Sequence, residues 1–400
     1  MNSTASILLT ARGVRAFGDG FVALLLPVYL TGLGFSPFRV GLLTTATLLG
    51  SAALTALVGL TAHKLSARKL LMAASILMLA TGLCFAGLRQ FWPLVVVGFV
   101  GVLNPSAGDV SVFLPLEQSL LAHAGPDARR TTLFARYSLT GALMGAVGAL
   151  TLGGADHLRQ RLGVAPDQLA RGLFVVYGLL GLVVLALYRR LPAAETDAPA
   201  AKQPLGPSRR IVLMLAALFS LDSFGGGFFV QSLLALWLFD TFGLSLAAAA
   251  AFFFWSGTLT ALSQLAAPWL ARRIGLINTM VFTHIPANLC MMAVPFAPSL
   301  AVVIALLLVR ALLSSMDVPA RQSYVMAIVT PAERAAAASF TNVPRSLASA
   351  LSPTLAGLMM GASAFAWPLL IGGGLKTAYD LLLLAMFRGV RPPEEARQSG

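Results

Sequence analysis

The feature that most constrains this chain is its succession of apolar stretches, each long enough to cross a bilayer, joined by connectors too short to fold alone. A helix needs about 20 mostly apolar residues to cross the hydrocarbon, and a span with its connector takes roughly 30 to 35. The chain's 400 residues leave little room beyond such spans. The stretches run over residues 7–32, 39–60, 69–88, 91–116, 132–152 and 173–188, then over 211–238, 246–270, 277–296, 300–326, 336–360 and 367–387. Between the two sets lies RRLPAAETDAPAAKQPLGPSRR, rich in Pro, Ala and charge and without apolar periodicity, which reads as a solvated linker. The expected fold is therefore all-α and membrane-integral, with twelve transmembrane helices. It divides into a six-helix bundle over 1–188, a cytoplasmic linker over 189–210 and a second six-helix bundle over 211–400.

Composition excludes a water-soluble globule, since 58% of residues are hydrophobic and 11% charged. The net charge of +13 would suggest nucleic acid in a soluble protein, but the basic residues sort by loop. With both termini inside, only Arg39, Arg89, Arg159, Arg161 and Arg171 fall in outer connectors, while the inner loops and C-terminal tail hold sixteen Lys and Arg. The positive-inside rule then gives cytoplasmic termini and no nucleic-acid partner. No basic residue precedes Arg12, so the first stretch is expected to be a span and not a cleaved signal. Cys84 and Cys290 both lie inside apolar runs and offer neither a disulfide framework nor a CxxC site. No P-loop, HExxH, GxSxG or dinucleotide fingerprint is present, so neither an enzyme nor a cofactor or metal is expected.

The two sets repeat each other residue by residue. Gly34 and Ser36 recur as Gly243 and Ser245, Ala62-His63-Lys64 as Ala271-Arg272-Arg273, and Arg136 as Arg345, all at an offset of 209. Asp109-Val110 recurs as Asp317-Val318, and Pro126 and Arg129 recur as Pro331 and Arg334, at slightly smaller offsets. Two quasi-equivalent halves joined by a linker suit alternating access, in which the halves close at either end around one central site.

The loop Gly59-Leu-Thr-Ala-His63-Lys64-Leu-Ser66-Ala-Arg68-Lys69 resembles the motif GxxxDRxGRK between the second and third helices of the major facilitator superfamily. Its counterpart in the second half is Pro268-Trp-Leu-Ala-Arg272-Arg273-Ile-Gly275. His63 stands in place of the motif's aspartate and Ser66 in place of its second glycine. The resemblance implies a cytoplasmic gate at Gly59, His63, Lys64, Arg68, Arg272 and Arg273. Asn104-Pro-Ser-Ala-Gly108 stands where antiporters of this family carry an arginine, and its repeat does carry one, Arg310. Gly141, Gly145 and Gly148, with Ser352-Pro353-Thr-Leu-Ala356-Gly357, loosely resemble an export signature, although such small residues also serve close helix packing.

An ionised side chain inside a span costs roughly 2.5 to 3.5 kcal/mol on insertion scales, so each should face a partner, water or substrate. Arg12, Arg15 and Asp19 stand at i, i+3 and i+7 on one helical face, where Arg15 and Asp19 are spaced to pair. Asp222 lies roughly 16 Å into its helix without an in-helix basic partner, and Arg15 or the neighbouring Ser220 and Ser223 could answer it. A carboxylate without counter-charge at that depth readily holds a proton, so Asp222 and Asp19 are the proton-coupling candidates. Gly225-Gly226-Gly227 would permit bending or close packing beside it. The expected substrate cavity takes Arg12, Arg15, Asn104, Asp109, Gln231 and Arg310. Asp109, Glu117 and Arg136 mirror Asp317, Arg321 and Arg345, and these clusters read as salt bridges of the inner gate. Lys376 and Asp380, four apart, are expected to neutralise each other, and His284 reads as a packing histidine.

Together these features predict a secondary active transporter moving a small organic solute by alternating access, coupled to protons, in the efflux direction. The expected setting is a bacterial inner membrane, multi-pass and monomeric, with the lipid bilayer, protons and a small-molecule substrate as partners. One alternative is uptake or exchange of an organic anion bound by the cavity arginines. Another, from a different class, is a non-transporting receptor or scaffold with the same fold.

Overall fold

The computed structural model describes all residues except 1–2, 62–65, 107–110, 124–126, 193–205, 331–332 and 391–400. The side chains of 59–61, 122–123, 127–132, 334–336 and 338–339 also lie outside the description. Among the described residues the chain is helical, with no strand. In chain order the helices are α1 Ser3–Gly32, α2 Pro37–Thr61, α3 Ala67–Gly87, α4 Phe91–Val100, α5 Phe113–His123, α6 Asp127–Leu162 and α7 Pro166–Arg189. They continue as α8 Arg209–Gly227, α9 Gln231–Phe242, α10 Leu246–Ile274, α11 Leu276–Ala293, α12 Leu300–Leu313, α13 Asp317–Ile328, α14 Arg334–Ala362 and α15 Trp367–Phe387. Counting α8 with α9, and α12 with α13, as continuous, ten described helices are long and apolar enough to cross a membrane.

The distribution of polarity is inverted relative to a water-soluble protein. Trp92 is 68% exposed and Phe282, Leu265 and Leu381 are more than half exposed, whereas Glu117 and Asp380 are fully buried. Apolar side chains outside and ions inside are what a lipid solvent selects, because hydrocarbon cannot solvate a charge and does not penalise an exposed leucine.

The repeat is visible in the turns. After α1, Gly34 adopts φ +83°, and after α9 its counterpart Gly243 adopts φ +57°, a left-handed cap that only glycine takes without strain. Two residues later Ser36 accepts the N–H of Arg39, and Ser245 likewise accepts the N–H of Ala248. Each pair ends one helix and caps the next. The halves part at the basic loop, where Gly275 is left-handed at φ +86° and the equivalent Ser66 is extended at φ −64°. Substitution of the motif glycine by serine thus coincides with a different backbone.

Three stretches that read as single spans are jointed. Residues 91–116 divide into α4 and α5, 211–238 into α8 and α9, and 300–326 into α12 and α13. The joint at Phe228, Phe229 and Val230 follows Gly227 directly, so the glycine run does end a helix. Its repeat counterpart in α1 runs unbroken through Gly18, Asp19 and Gly20.

By internal contact the chain forms two compact units. The first takes residues 1–200 together with Val230–Gly257 and Pro353–Ala362, and the second takes the remainder. In the first, α1 lies against α6 so closely that a side chain at Gly20 would strike the Gly145 carbonyl. There α2 also meets the end of α14: Gly41 lies against Gly357 and the Pro353 carbonyl, and Thr45 Oγ accepts from the Thr354 N–H at 3.0 Å and exchanges a 2.8 Å bond with its hydroxyl. In the second, α8, α11, α13 and α15 share a core of Leu215, Phe219, Met280, Tyr324, Tyr379 and Phe387.

Candidate functional site

Each unit encloses a cluster of ions. In the first unit the Arg15 guanidinium, 2% exposed, does not pair with Asp19 as its spacing predicts; it reaches across to Glu117 on α5. The same carboxylate accepts the Tyr137 hydroxyl from α6 and, at 2.6 Å, the Tyr188 hydroxyl from α7. Phe113 lies under the guanidinium, 4.1 Å from its ring centre. Arg15 is thus neutralised by an acceptor on α5 that two further helices also converge on, which a residue one turn along its own helix cannot match. Arg12 is buried over the Tyr137 ring at 5.2 Å, in space kept by Gly141, where a side chain would meet its guanidinium. Asp19 is buried with the charges of Arg15 and Arg12 nearby, but with no ion pair among the described residues.

The second cluster surrounds Asp222, which is not the unpaired carboxylate that its own helix suggests. Lys376 Nζ from α15 lies 2.5 Å from Asp222 Oδ1, and Arg321 from α13 lies 3.4 Å from Oδ2. Arg321 also holds Asp317 at 3.1 Å, the i, i+4 pair expected from spacing. Lys376 therefore does not neutralise Asp380. Asp380 instead meets His284 Nδ1 at 2.9 Å and the Asn288 amide at 2.9 Å, both on α11. His284, expected to be a hydrogen-bonded packing residue, has its other nitrogen 3.9 Å from Asp222. Arg345 donates to Ser223, beside Asp222, at 2.7 Å. The reach of Lys376 depends on Gly225: a side chain there would lie 2.9 Å from the Gly372 carbonyl and from the lysine stem, so glycine lets α8 and α15 close up.

The remaining candidates are dispersed. Asn104 is buried in the joint after α4, where its side-chain oxygen accepts the backbone N–H and hydroxyl of Ser106. Gln231 opens α9 and is half-buried. Arg310 stacks on Phe229 at 4.9 Å, and no carboxylate pairs with it among the described residues. Arg68 donates to the Arg189 carbonyl, tying α3 to α7. Arg272 and Arg273 are exposed, the latter over Trp269, and Arg136 is exposed on α6. His63, Lys64 and Asp109 lie outside the described residues, as do the surroundings of Gly59.

Sequence reasoning missed Lys376, His284, Asp380 and Asn288 as one cluster, and Tyr137 and Tyr188 as partners of Glu117. The usable signal was their residue type, an ion or an amide inside an apolar run. Partnership carried no signal, because the pairs lie on different helices, separated by 20 to 154 positions.

Helices with ions inside and hydrocarbon outside, in two repeated halves, meet a family pattern that runs across most of the chain: residues 8–316 match the sequence model of the Major Facilitator Superfamily. The chain belongs to this superfamily. Among its relatives, the uncharacterized membrane protein YJR124C of Saccharomyces cerevisiae is 24% identical, over 94% of this chain and 92% of that protein. Among solved structures, the nucleoside transporter NupG superposes with a TM-score of 0.72 at 16% identity, over 97% of this chain and all of that one. The xylose transporter XylE from E. coli gives a TM-score of 0.73 at 14% identity, over 98% and 99%. At these identities the structural likeness establishes the major facilitator fold.

Proposed function

We propose that this major facilitator protein is a secondary active transporter that moves a small organic solute by alternating access, driven by the proton gradient. In this reading residues 1–188 and 211–400 are the two moving bundles, linked through 189–210, in a monomer that crosses a bacterial inner membrane twelve times with both termini cytoplasmic. The observation that carries it is the buried cluster around Asp222: carboxylates, cations and a histidine drawn from four helices, six residues before α8 breaks. Ions buried at membrane depth are expensive, and they mark proton or substrate pathways by default. Asp222 supplies the charge on which coupling in this cluster depends, and Asp19 is its candidate equivalent in the first half. Export is the direction implied by the resemblance of the small-residue motifs, although Gly148 is also required where α6 meets α1, since a side chain there would strike the Phe17 carbonyl.

The test is flux in proteoliposomes under an imposed pH gradient, using a compound found by thermal-shift screening of a solute library. Flux should follow the gradient and lose that dependence in Asp222→Asn; gradient-independent flux in the wild type overturns the reading. A second reading, transport of an organic anion, is favoured by Arg310, whose guanidinium rests on an aromatic face without a carboxylate partner among the described residues. The same screen decides it, since only carboxylates or phosphates should then stabilise the protein, and Arg310→Gln should abolish the shift.

A further inference from the structure

The clustered ions leave one place where a mobile proton fits. The hydrogen-bonded set holds three carboxylates, Asp222, Asp317 and Asp380, and two side chains that are cationic by default, Arg321 and Lys376. Both cations lie on Asp222 and Asp317. Asp380, fully buried, has His284 and the neutral amide of Asn288 as its hydrogen-bond partners among the described residues. An isolated ionised carboxylate in such a setting costs several kcal/mol unless it is paired. A positive charge on His284 would complete the set.

We propose that the proton of the transport cycle is held by the His284–Asp380 pair, bridging α11 to α15, while Asp222 stays ionised under Lys376 and Arg321. This assignment rests on the proton-driven reading above and moves the proton from α8 to helices that sequence reasoning left as peripheral. An ionised carboxylate only accepts, so the 2.9 Å contact places a hydrogen on Nδ1 and leaves Nε2 as the atom that gains or loses the proton. Nε2 lies 3.9 Å from Asp222. Loading it therefore adds an attraction between α11 and α8 just below the α8–α9 joint, and unloading returns the proton to water and removes that attraction. No other bond forms or breaks.

The arginines outside the hydrogen-bonded set bear on Asp222 and not on Asp380. Lys376 and Asp222 neutralise each other beside Asp380, and Arg321 is shared between Asp222 and Asp317. Arg345 and Arg310 act on Asp222 from α14 and α12. Tyr379 on α15 presents its ring edge-on to the imidazole, 6.2 Å between centres, and its buried hydroxyl has no hydrogen-bond partner among the described residues. Cys290, on the same helix as His284, lies under the field of Arg310.

The test is nitrogen-15 NMR of the histidine-labelled full chain in lipid nanodiscs, from about pH 8 to about pH 5, the range in which histidine serves as a switch. His284→Gln assigns the signal. The wild-type ring is expected to pass from the neutral to the imidazolium pattern, and Asp380→Asn is expected to alter that passage. A cooperative thermal unfolding transition retained in every variant verifies folding. A His284 ring that keeps one charge state throughout, or titrates alike with and without the Asp380 carboxylate, overturns the assignment. Gradient-driven flux with an unchanging His284 would refute the site and leave proton coupling standing. A titrating His284 with gradient-independent flux would instead refute the coupling while leaving a proton site.

Discussion

At the scale of single residues, the first unit stakes most on one carboxylate. Glu117 is fully buried and receives Arg15, Tyr137 and Tyr188 together. Removing one partner of a buried ion pair typically costs about 3–5 kcal/mol, because the other charge is left unsolvated. Glu117→Gln should therefore lower thermal stability in detergent markedly. The double variant Glu117→Gln with Arg15→Met should recover much of the loss, since no ion is then stranded; equal instability of both proteins would contradict the account. The residue types of this cluster were legible in the sequence, because an ion within an apolar run must be answered. Its pairing was not. Spacing favoured Arg15 with Asp19 and Lys376 with Asp380, yet both cations reach other helices, since i, i+4 proximity is worth only about 0.2–0.5 kcal/mol and yields to a better satisfied acceptor.

At the scale of elements, the spans were legible because each must supply about 20 apolar residues. The joint after α8 was not, because hydropathy continues through it: Phe228, Phe229 and Val230 are as apolar as the helices they separate. The glycine run before that joint was noticed for its flexibility, and the structure adds its second role in admitting Lys376. The meeting of α2 with α14 is equally a matter of missing side chains. Gly41→Leu would drive a side chain into the Pro353 carbonyl and separate Thr45 from Thr354. Overpacking of this kind usually costs about 1–3 kcal/mol. A cysteine at Thr45 should then be alkylated several-fold faster in the Gly41→Leu background; an unchanged rate would show that the contact adapts.

At the scale of the whole molecule, the segment joining the halves is anchored where it enters the second. Glu333, in the loop before α14, accepts the hydroxyls of Thr330 and Ser208 and the backbone N–H groups of Gly206 and Ser208. Those donors, the Thr330 hydroxyl foremost, hold its carboxyl down to about 2. A carboxyl lowered in the folded state stabilises above its ordinary value of about 4.3 and loses that contribution as pH falls toward 2. Hydrogen exchange at Gly206 and Ser208 should accordingly show the same protection factors at pH 7 and pH 5, and Glu333→Gln should raise exchange at both pH values. Protection that falls between pH 7 and pH 5 would contradict the anchor. The sequence placed this segment as a linker from its composition, but not its attachment, which depends on a contact 125 positions away.

The joints carry one more consequence. Between α4 and α5, between α8 and α9, and between α12 and α13, backbone amides and carbonyls leave the helical pattern within stretches that read as single spans. Hydrocarbon offers such groups no hydrogen bond, so irregular backbone at that depth persists only against protein or water. These three places therefore mark where lipid is kept away. They fix which way each of those helices must be turned in the bilayer, so a lipid-borne spin label or quencher should find the unbroken helices and miss the joints.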